Sequence, residues 1–241
     1  MLPKVSCILP CGYGDKYVGV AIQCFLNQAY QGELELVIVD NNDADIAFGV
    51  NIPTDVEFLK RASVKVHRCK RVSVGALRNI GTKLATGEVC ISWDEDDWSS
   101  KDRVAEQVKR LQASGKAVTG WHNILYFDTT SGNAYKYFYE PSGRNHPPYA
   151  MGTSQCYLKS WWEKHPFPED QAVEDLGFQQ EALHRNQLDS CDPGQLCVAR
   201  VHSSNVCPKQ LGARQFPAVS REALPKEFYF AIGDREATQQ Q

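Results

Sequence analysis

VCISWDEDDW, residues 89–98, runs from a short apolar segment straight into four consecutive carboxylates held between Trp93 and Trp98. An apolar run this short, bounded by polar residues, reads as a strand buried on both faces, and the acids then fall at its carboxyl end. Four like charges in a row are electrostatically costly. The cost is offset if a hard divalent cation sits among them, and Mg²⁺ or Mn²⁺ bound with a diphosphate needs only one or two protein carboxylates. The plainer alternative is a solvated acidic turn in which Asp97 or Ser99 caps the next helix. The location favours the cation, because ligands of a parallel sheet bind beyond the carboxyl ends of its strands.

Reading back toward the N-terminus, Val5 to Leu9 is a second apolar run, closed by Pro10, Gly12 and Gly14. Val18, Ala21, Ile22, Phe25 and Leu26 then repeat at helical spacing, and LELVIVD at 34–40 gives another buried strand that ends in Asp40, Asn41, Asn42 and Asp43. VKVHR at 64–68 supplies a third strand, and VGALRNIGTKLA at 74–85 a helix that stops before Gly87. Strand and helix alternate. The expected fold class is therefore α/β, with a mostly parallel central sheet and helices on both faces.

Reading forward, a helix is expected over 101–114, followed by AVTGWHNILYFD and AYKYFYE as an antiparallel hairpin about the turn at 130–133. PSGRNHPPYAMG at 141–152 reads as a loop able to lie over a site. Helices over 158–164 and 174–186 and a strand over 195–202 complete residues 1–220 as one domain. Residues 221–241 form a tail in which FYFAI can dock while the last five residues fray.

Composition narrows the class. The 241 residues carry a net charge of −3 and no basic footprint for a nucleic-acid backbone. Nine cysteines without any C-x-x-C pair suit reduced, mostly buried thiols. No stretch is apolar enough to span a membrane, and the opening MLPKVSCILPCG is too short for a signal peptide, so a cytoplasmic protein is expected. Gly12-Tyr13-Gly14 faintly suggests a dinucleotide loop, but Tyr17 stands where its third glycine belongs.

Two further features bear on chemistry. Glu174 and Asp175 open a helix, which dipole complementation alone explains, while Asp175 also suits a general base. His202 follows an apolar strand. Such a residue is usually structural, and gains meaning as a third ligand beside Asp94 and Asp96, since imidazole with carboxylate suits Mn²⁺. Cys191, Cys197, His202 and Cys207 lack zinc spacing.

Taken together, VSCILPCGYG, FLNQAY, LELVIVDNND, GALRNIG, WDEDD, VEDLGF and RVHSSN resemble glycosyltransferase family 2, inverting enzymes of the GT-A fold, over roughly residues 4 to 206. The resemblance implies a metal-dependent transferase moving a sugar from a nucleotide-diphosphate sugar, a UDP-sugar first, to an acceptor hydroxyl, with Mn²⁺ or Mg²⁺ as cofactor. It implies Pro10, Tyr13, Asp40, Arg78 and Asp94 on the nucleotide side, Asp94, Asp96 and His202 at the metal, and Asp175 as catalytic base with Glu174 beside it. Gly152 and Thr153 are expected in the sugar and acceptor pocket. The chain departs from the family where D-D-x-S-x-D becomes Asp40-Asn41-Asn42-Asp43 and where Cys11-Gly12 follows Pro10. The acceptor stays open among a glycan, a lipid-linked sugar, a protein or a modified DNA base. Two rivals remain: a metal-dependent nucleotidyltransferase, for which CGYGDKY is a poor phosphate loop, and a catalytically silent nucleotide-sugar-binding module.

Overall fold

A computed structural model describes residues 1–12, 16–42, 62–142 and 145–232. Strand β1 (Val5–Cys11) and strand β2 (Leu34–Asp40) are buried at every position. Their side chains feed two cores by strict alternation. Val5, Cys7, Leu9, Leu34, Leu36 and Ile38 enter the larger core, and Ile8, Val37 and Val39 enter a second core on the other face. Helix α1 (Val18–Leu26) covers the first face and helix α2 (Val74–Leu84), capped by the Ser73 hydroxyl, the second.

Strands β3 (Ala62–Arg68) and β4 (Val89–Ser92) extend the parallel set, and the short β5 (Trp98–Ser99) follows the acidic run. Helix α3 (Arg103–Ser114) ends at Gly115, whose φ of 62° is the left-handed conformation that favours glycine. Then come β6 (Val118–Trp121), β7 (Ile124–Asp128), β8 (Ala134–Tyr137), a 3₁₀ turn at Gly152–Ser154, β9 (Cys156–Leu158) and a single helical turn α4 (Lys159–Trp162). Helix α5 (Glu174–His184), β10 (Leu188–Cys191), β11 (Cys197–Val201), β12 (Ala218–Val219) and helix α6 (Lys226–Ile232) complete the described chain.

The seven-stranded sheet has the order β10-β6-β9-β4-β1-β2-β3, and only β9 runs against its neighbours. The mostly parallel sheet with helices on both faces is thus present. The small antiparallel hairpin expected is part of a second, five-stranded mixed sheet, β12-β8-β7-β11-β5, in which β7 and β11 run parallel. Three expectations need correction. AVTGWHNILYFD breaks at His122 and Asn123, so β6 joins the large sheet and only β7 forms the hairpin with β8. The helix expected over 158–164 is one turn, because Pro166 and Pro168 stop it. β5, β9 and β10 were not expected, being too short for a period to register.

Leu224, Phe228 and Tyr229 lie in the larger core, where Phe228 meets Trp98 edge-on at 6.1 Å between ring centroids. Helix α6 is therefore packed onto the base of the acidic loop. All nine cysteines are free thiols, six of them buried.

Candidate active site

Beyond the carboxyl ends of β1 and β4 lies a cleft of 510 Å³. Pro10 and Gly12 close β1 at its floor, Asp94 to Asp97 form the adjoining loop, α2 presents Arg78, α5 presents Glu174 and Asp175, and β11 delivers Arg200 and His202. The acidic loop is pegged at both ends. Trp93 is 1% exposed and donates its indole N–H to Ala21 O (3.0 Å), while Trp98 packs under α6. Aromatic burial on this scale fixes the four carboxylates between the pegs, so they are not a solvated turn.

Asp97 points inward. Its Oδ2 accepts from the Thr153 hydroxyl (2.6 Å) and its Oδ1 from the backbone N–H of Arg200 (3.2 Å), tying the 3₁₀ turn to β11. Burial, then the charges of Asp96 and Asp94, pushes its carboxyl well above the usual carboxylate range.

Asp96 faces the cleft and meets His202, with Oδ2 2.9 Å from Nε2. The pairing of β5 with β11 brings them together across 106 positions of sequence, since Val198 sits opposite Trp98. His202 Nδ1 lies 3.1 Å from the Ser204 hydroxyl, which orients the ring. The amide nitrogen of Asn205 sits 3.0 Å from Asp96 Oδ2 and 3.1 Å from His202 Nε2. A donor of partial positive charge thus occupies the position between the two groups. With metal–ligand bonds slightly over 2 Å, neighbouring ligands of an octahedral cation lie about 3 Å apart, so the pair fits one divalent ion once Asn205 yields. The three-ligand set expected from the sequence is not assembled. Asp94 turns to Arg78, and among the described residues no three His, Cys, Asp or Glu side chains converge in a ligating group, for zinc or any other metal.

Arg78 spans the cleft wall, donating from Nη2 to Asp94 Oδ1 (3.0 Å) and from Nε to Glu174 Oε1 (3.1 Å). Burial opposes its charge, but Asp94, Glu174 and Asp175 outweigh it and raise its pKa. Its third nitrogen, Nη1, is buried without a hydrogen-bond partner among the described residues. The neighbouring Asn79 is spent on structure: its side chain bonds Phe167 through both backbone groups and the Trp162 indole.

Asp175 lies in the first turn of α5, with the Gln155 amide donating to its carbonyl (2.9 Å). Burial raises the carboxyl pKa more than Arg78 lowers it. Glu174 is raised for the same leading reason. Gly152 lets the 3₁₀ turn pack against this carboxylate, because a Cβ there would come within 2.6 Å of Asp175 Oδ2.

Pro10, Arg78, Asp94, Asp96, Gly152, Thr153, Glu174, Asp175 and His202 therefore share one cleft. Asp40 does not line it. It is 2% exposed at the end of β2, with Oδ1 accepting from Asn42 N and Nδ2 at 3.0 and 2.8 Å. Tyr13 lies outside the described residues, as does Asp43. Among the described residues of the loop over 141–152, Tyr149, Met151 and Gly152 line the cleft.

The sequence reading missed Arg200 and Asn205. Arg200 is 3% exposed, donates from Nη1 to Asp96 O, and stacks between the rings of Tyr17 and Phe228 at 5.0 and 5.6 Å. Its signal was a lone charge inside the apolar strand CVARV. Asn205 had none, being one polar residue in a polar turn.

Against known proteins, a family model described as glycosyl transferase family 2 matches residues 6–176. An uncharacterized glycosyltransferase of Haemophilus influenzae is 27% identical over 135 residues, 56% of this chain and 52% of that protein, so the chain spans about half the length of this relative. Among solved structures, Staphylococcus aureus TarS 1-349 in complex with UDP superimposes with a TM-score of 0.60 at 19% identity, covering 82% of this chain and 60% of that one. The mannosyltransferase PcManGT from Pyrobaculum calidifontis, in complex with GDP-Man and Mn²⁺, also gives 0.60, at 16% identity over 87% of this chain and 59% of that one. At these identities the structural likeness speaks for the fold, a GT-A glycosyltransferase fold.

Proposed function

The chain belongs to glycosyl transferase family 2, and from that premise we propose that it is an inverting glycosyltransferase moving a sugar from a nucleoside-diphosphate donor to an acceptor hydroxyl. The observation that carries this reading is the convergence of Asp96, Asp175 and His202, from three distant segments, on one cleft at the carboxyl edge of a parallel sheet.

Asp175 takes the proton of the acceptor hydroxyl as that oxygen attacks the anomeric carbon. The new carbon–oxygen bond forms as the bond to the diphosphate breaks, the electron pair leaves on the diphosphate oxygen, and attack from the opposite face inverts the configuration. A raised proton affinity suits this base, because it sits nearer the working pH than an exposed carboxylate would. Arg78 holds Asp94 and Glu174 in register, and its unpartnered Nη1 would donate to the bound nucleotide sugar. Asp96 and His202 would hold Mn²⁺ or Mg²⁺, which when bound neutralises charge developing on the departing diphosphate. Glu174 positions Arg78, and Gly152 and Thr153 shape the wall beside the base.

A UDP-sugar is the first donor to try, with a GDP-sugar as the comparison. The test is donor turnover with Mn²⁺ present or chelated, for the natural chain, Asp96→Ala and Asp175→Asn. Release of nucleoside diphosphate that needs all three supports the assignment. Release of pyrophosphate would make the protein a nucleotidyltransferase, and binding without turnover a silent module. Turnover that survives both substitutions would refute it.

A further inference from the structure

One group of side chains is left over once the donor site is assigned. Six rings from β7, β8 and two loops form a continuous row: Tyr126, Phe216, Tyr137, Tyr149, Tyr139 and His146. Successive centroids are 5.5, 5.0, 6.2, 5.7 and 6.0 Å apart, the ordinary range of packed aromatic pairs, and each ring is tilted to the next. The row begins in the cleft, where Tyr126 and Tyr149 are lining residues, and ends at the exposed His146. Tyr149 stands next to Asp175, whose charge adds to burial in raising its phenol pKa.

We propose that the partly exposed rings of this row, from Phe216 to His146, are the acceptor platform, and that the acceptor is an uncharged carbohydrate chain of two or more residues, whose terminal hydroxyl meets Asp175 while the preceding sugars lie along the rings. The inference rests on the transferase reading and adds the substrate class.

Three features favour that occupant. Tyr137, Tyr139, Tyr149 and Phe216 are half-buried, so the rings form a surface as well as a core. Ring faces carry negative quadrupole density, and the C–H bonds on one side of a pyranose present matching positive hydrogens. Tyrosine offers this area at a low entropic cost together with a polar tip. Lastly, the cleft is rich in carboxylates and the chain carries a net charge of −3, which repels a polyanion such as a nucleic acid. Lys16 and Lys209, which also line the cleft, are the lysines that would read a phosphorylated acceptor instead.

The experiment is calorimetry on the full chain with UDP and Mn²⁺ present. The probes are neutral gluco-, galacto-, manno- and N-acetylglucosamine oligosaccharides of increasing length, the corresponding sugar 1-phosphates, and a single-stranded oligonucleotide. At least one neutral series is expected to bind with affinity that rises with length. Tyr137→Ala should weaken that binding about tenfold, while Tyr137→Phe, which keeps the face, should change it by less than about twofold. If Tyr137→Ala does not fold, His146→Ala at the exposed end should reduce the gain from the longest chains. The proposal is overturned if no neutral oligosaccharide binds, if only phosphates or the oligonucleotide bind, or if the Ala and Phe variants behave alike. Asp175-dependent donor turnover without oligosaccharide binding would remove the acceptor inference alone, whereas absence of donor turnover would remove the transferase reading first.

Discussion

Glu35 and the Glu174–Asp175 pair, of which Glu35 and Glu174 are buried and Asp175 half-buried, are carboxylates at opposite ends of the same architecture, and they are treated in opposite ways. Glu35 begins β2, on the amino side of the sheet, and its oxygens accept from the Ser6 hydroxyl (2.6 Å), the Thr86 N–H (2.8 Å) and the Thr86 hydroxyl (3.0 Å), with Lys65 paired to it. Burial works to raise its pKa, yet these partners more than offset burial and hold it below the usual range. At the carboxyl side, burial also leads, but Arg78 only partly offsets it, and both Glu174 and Asp175 stay raised. The contrast separates a carboxylate whose partners more than offset its burial from a pair whose partners do not.

The most severe way to break the contrast is at the ligand end. Asp175→Asn should lower turnover by roughly 10³-fold, measured as nucleoside diphosphate released, while the circular-dichroism spectrum stays that of the natural chain. The mirror experiment is Glu35→Ala. It leaves the buried Ser6 hydroxyl without its acceptor and removes the contacts to Thr86 and Lys65, and should cost about 2 kcal/mol of stability, a fall in Tm of roughly 6 °C, with turnover at 20 °C unchanged once corrected for the folded fraction.

A subtler substitution, Gly152→Ala, keeps every charge but drives a methyl group into the Asp175 carboxylate. A displacement of that size should lower turnover by about ten- to a hundredfold. Stopped assays with unaltered donor binding by calorimetry would check it. Equal losses in binding and turnover would show that Gly152 serves packing alone.

The smallest effects are in pH dependence, and here the two ends should differ in sign. A carboxylate with a lowered folded pKa gives stability that is full above its unfolded value, about 4.3 for glutamate, and is lost as pH falls through the folded value. Glu35→Gln should flatten that acid-side loss. A raised folded pKa does the reverse: its contribution is present below the unfolded value, about 3.9 for aspartate, and is lost as pH rises through the folded value. Asp175→Asn should therefore make the protein slightly more stable at neutral pH while inactivating it. Denaturant titrations across pH 3 to 8 would show both slopes, and parallel slopes would erase the distinction drawn above. The acid limb of kcat/KM in the natural chain should lie above the range of an exposed aspartate for the same reason.

Much of this site was legible because local order and local chemistry coincide. VCISW and LELVIVD announce buried strands by composition alone, and Asp96, Asp175 and His202 lie within short runs whose neighbours mark the ends of elements. Arg200 and Asn205 were not legible. Arg200 gains its meaning from Tyr17 and Phe228, and Asn205 from an Asp96 oxygen 109 positions away.

The sequence by itself determined which residues alternate between the faces of the sheet, because side-chain periodicity is a property of near neighbours. It also determined that carboxylates end an interior strand. The tertiary structure alone decided that β9 would enter the sheet antiparallel, that β5 would pair with β11, and that Asp96 would therefore meet His202 while Asp94 turned to Arg78. Such pairings are chosen by packing summed over the whole core, and strands of two or three residues carry too few side chains to encode their partners locally.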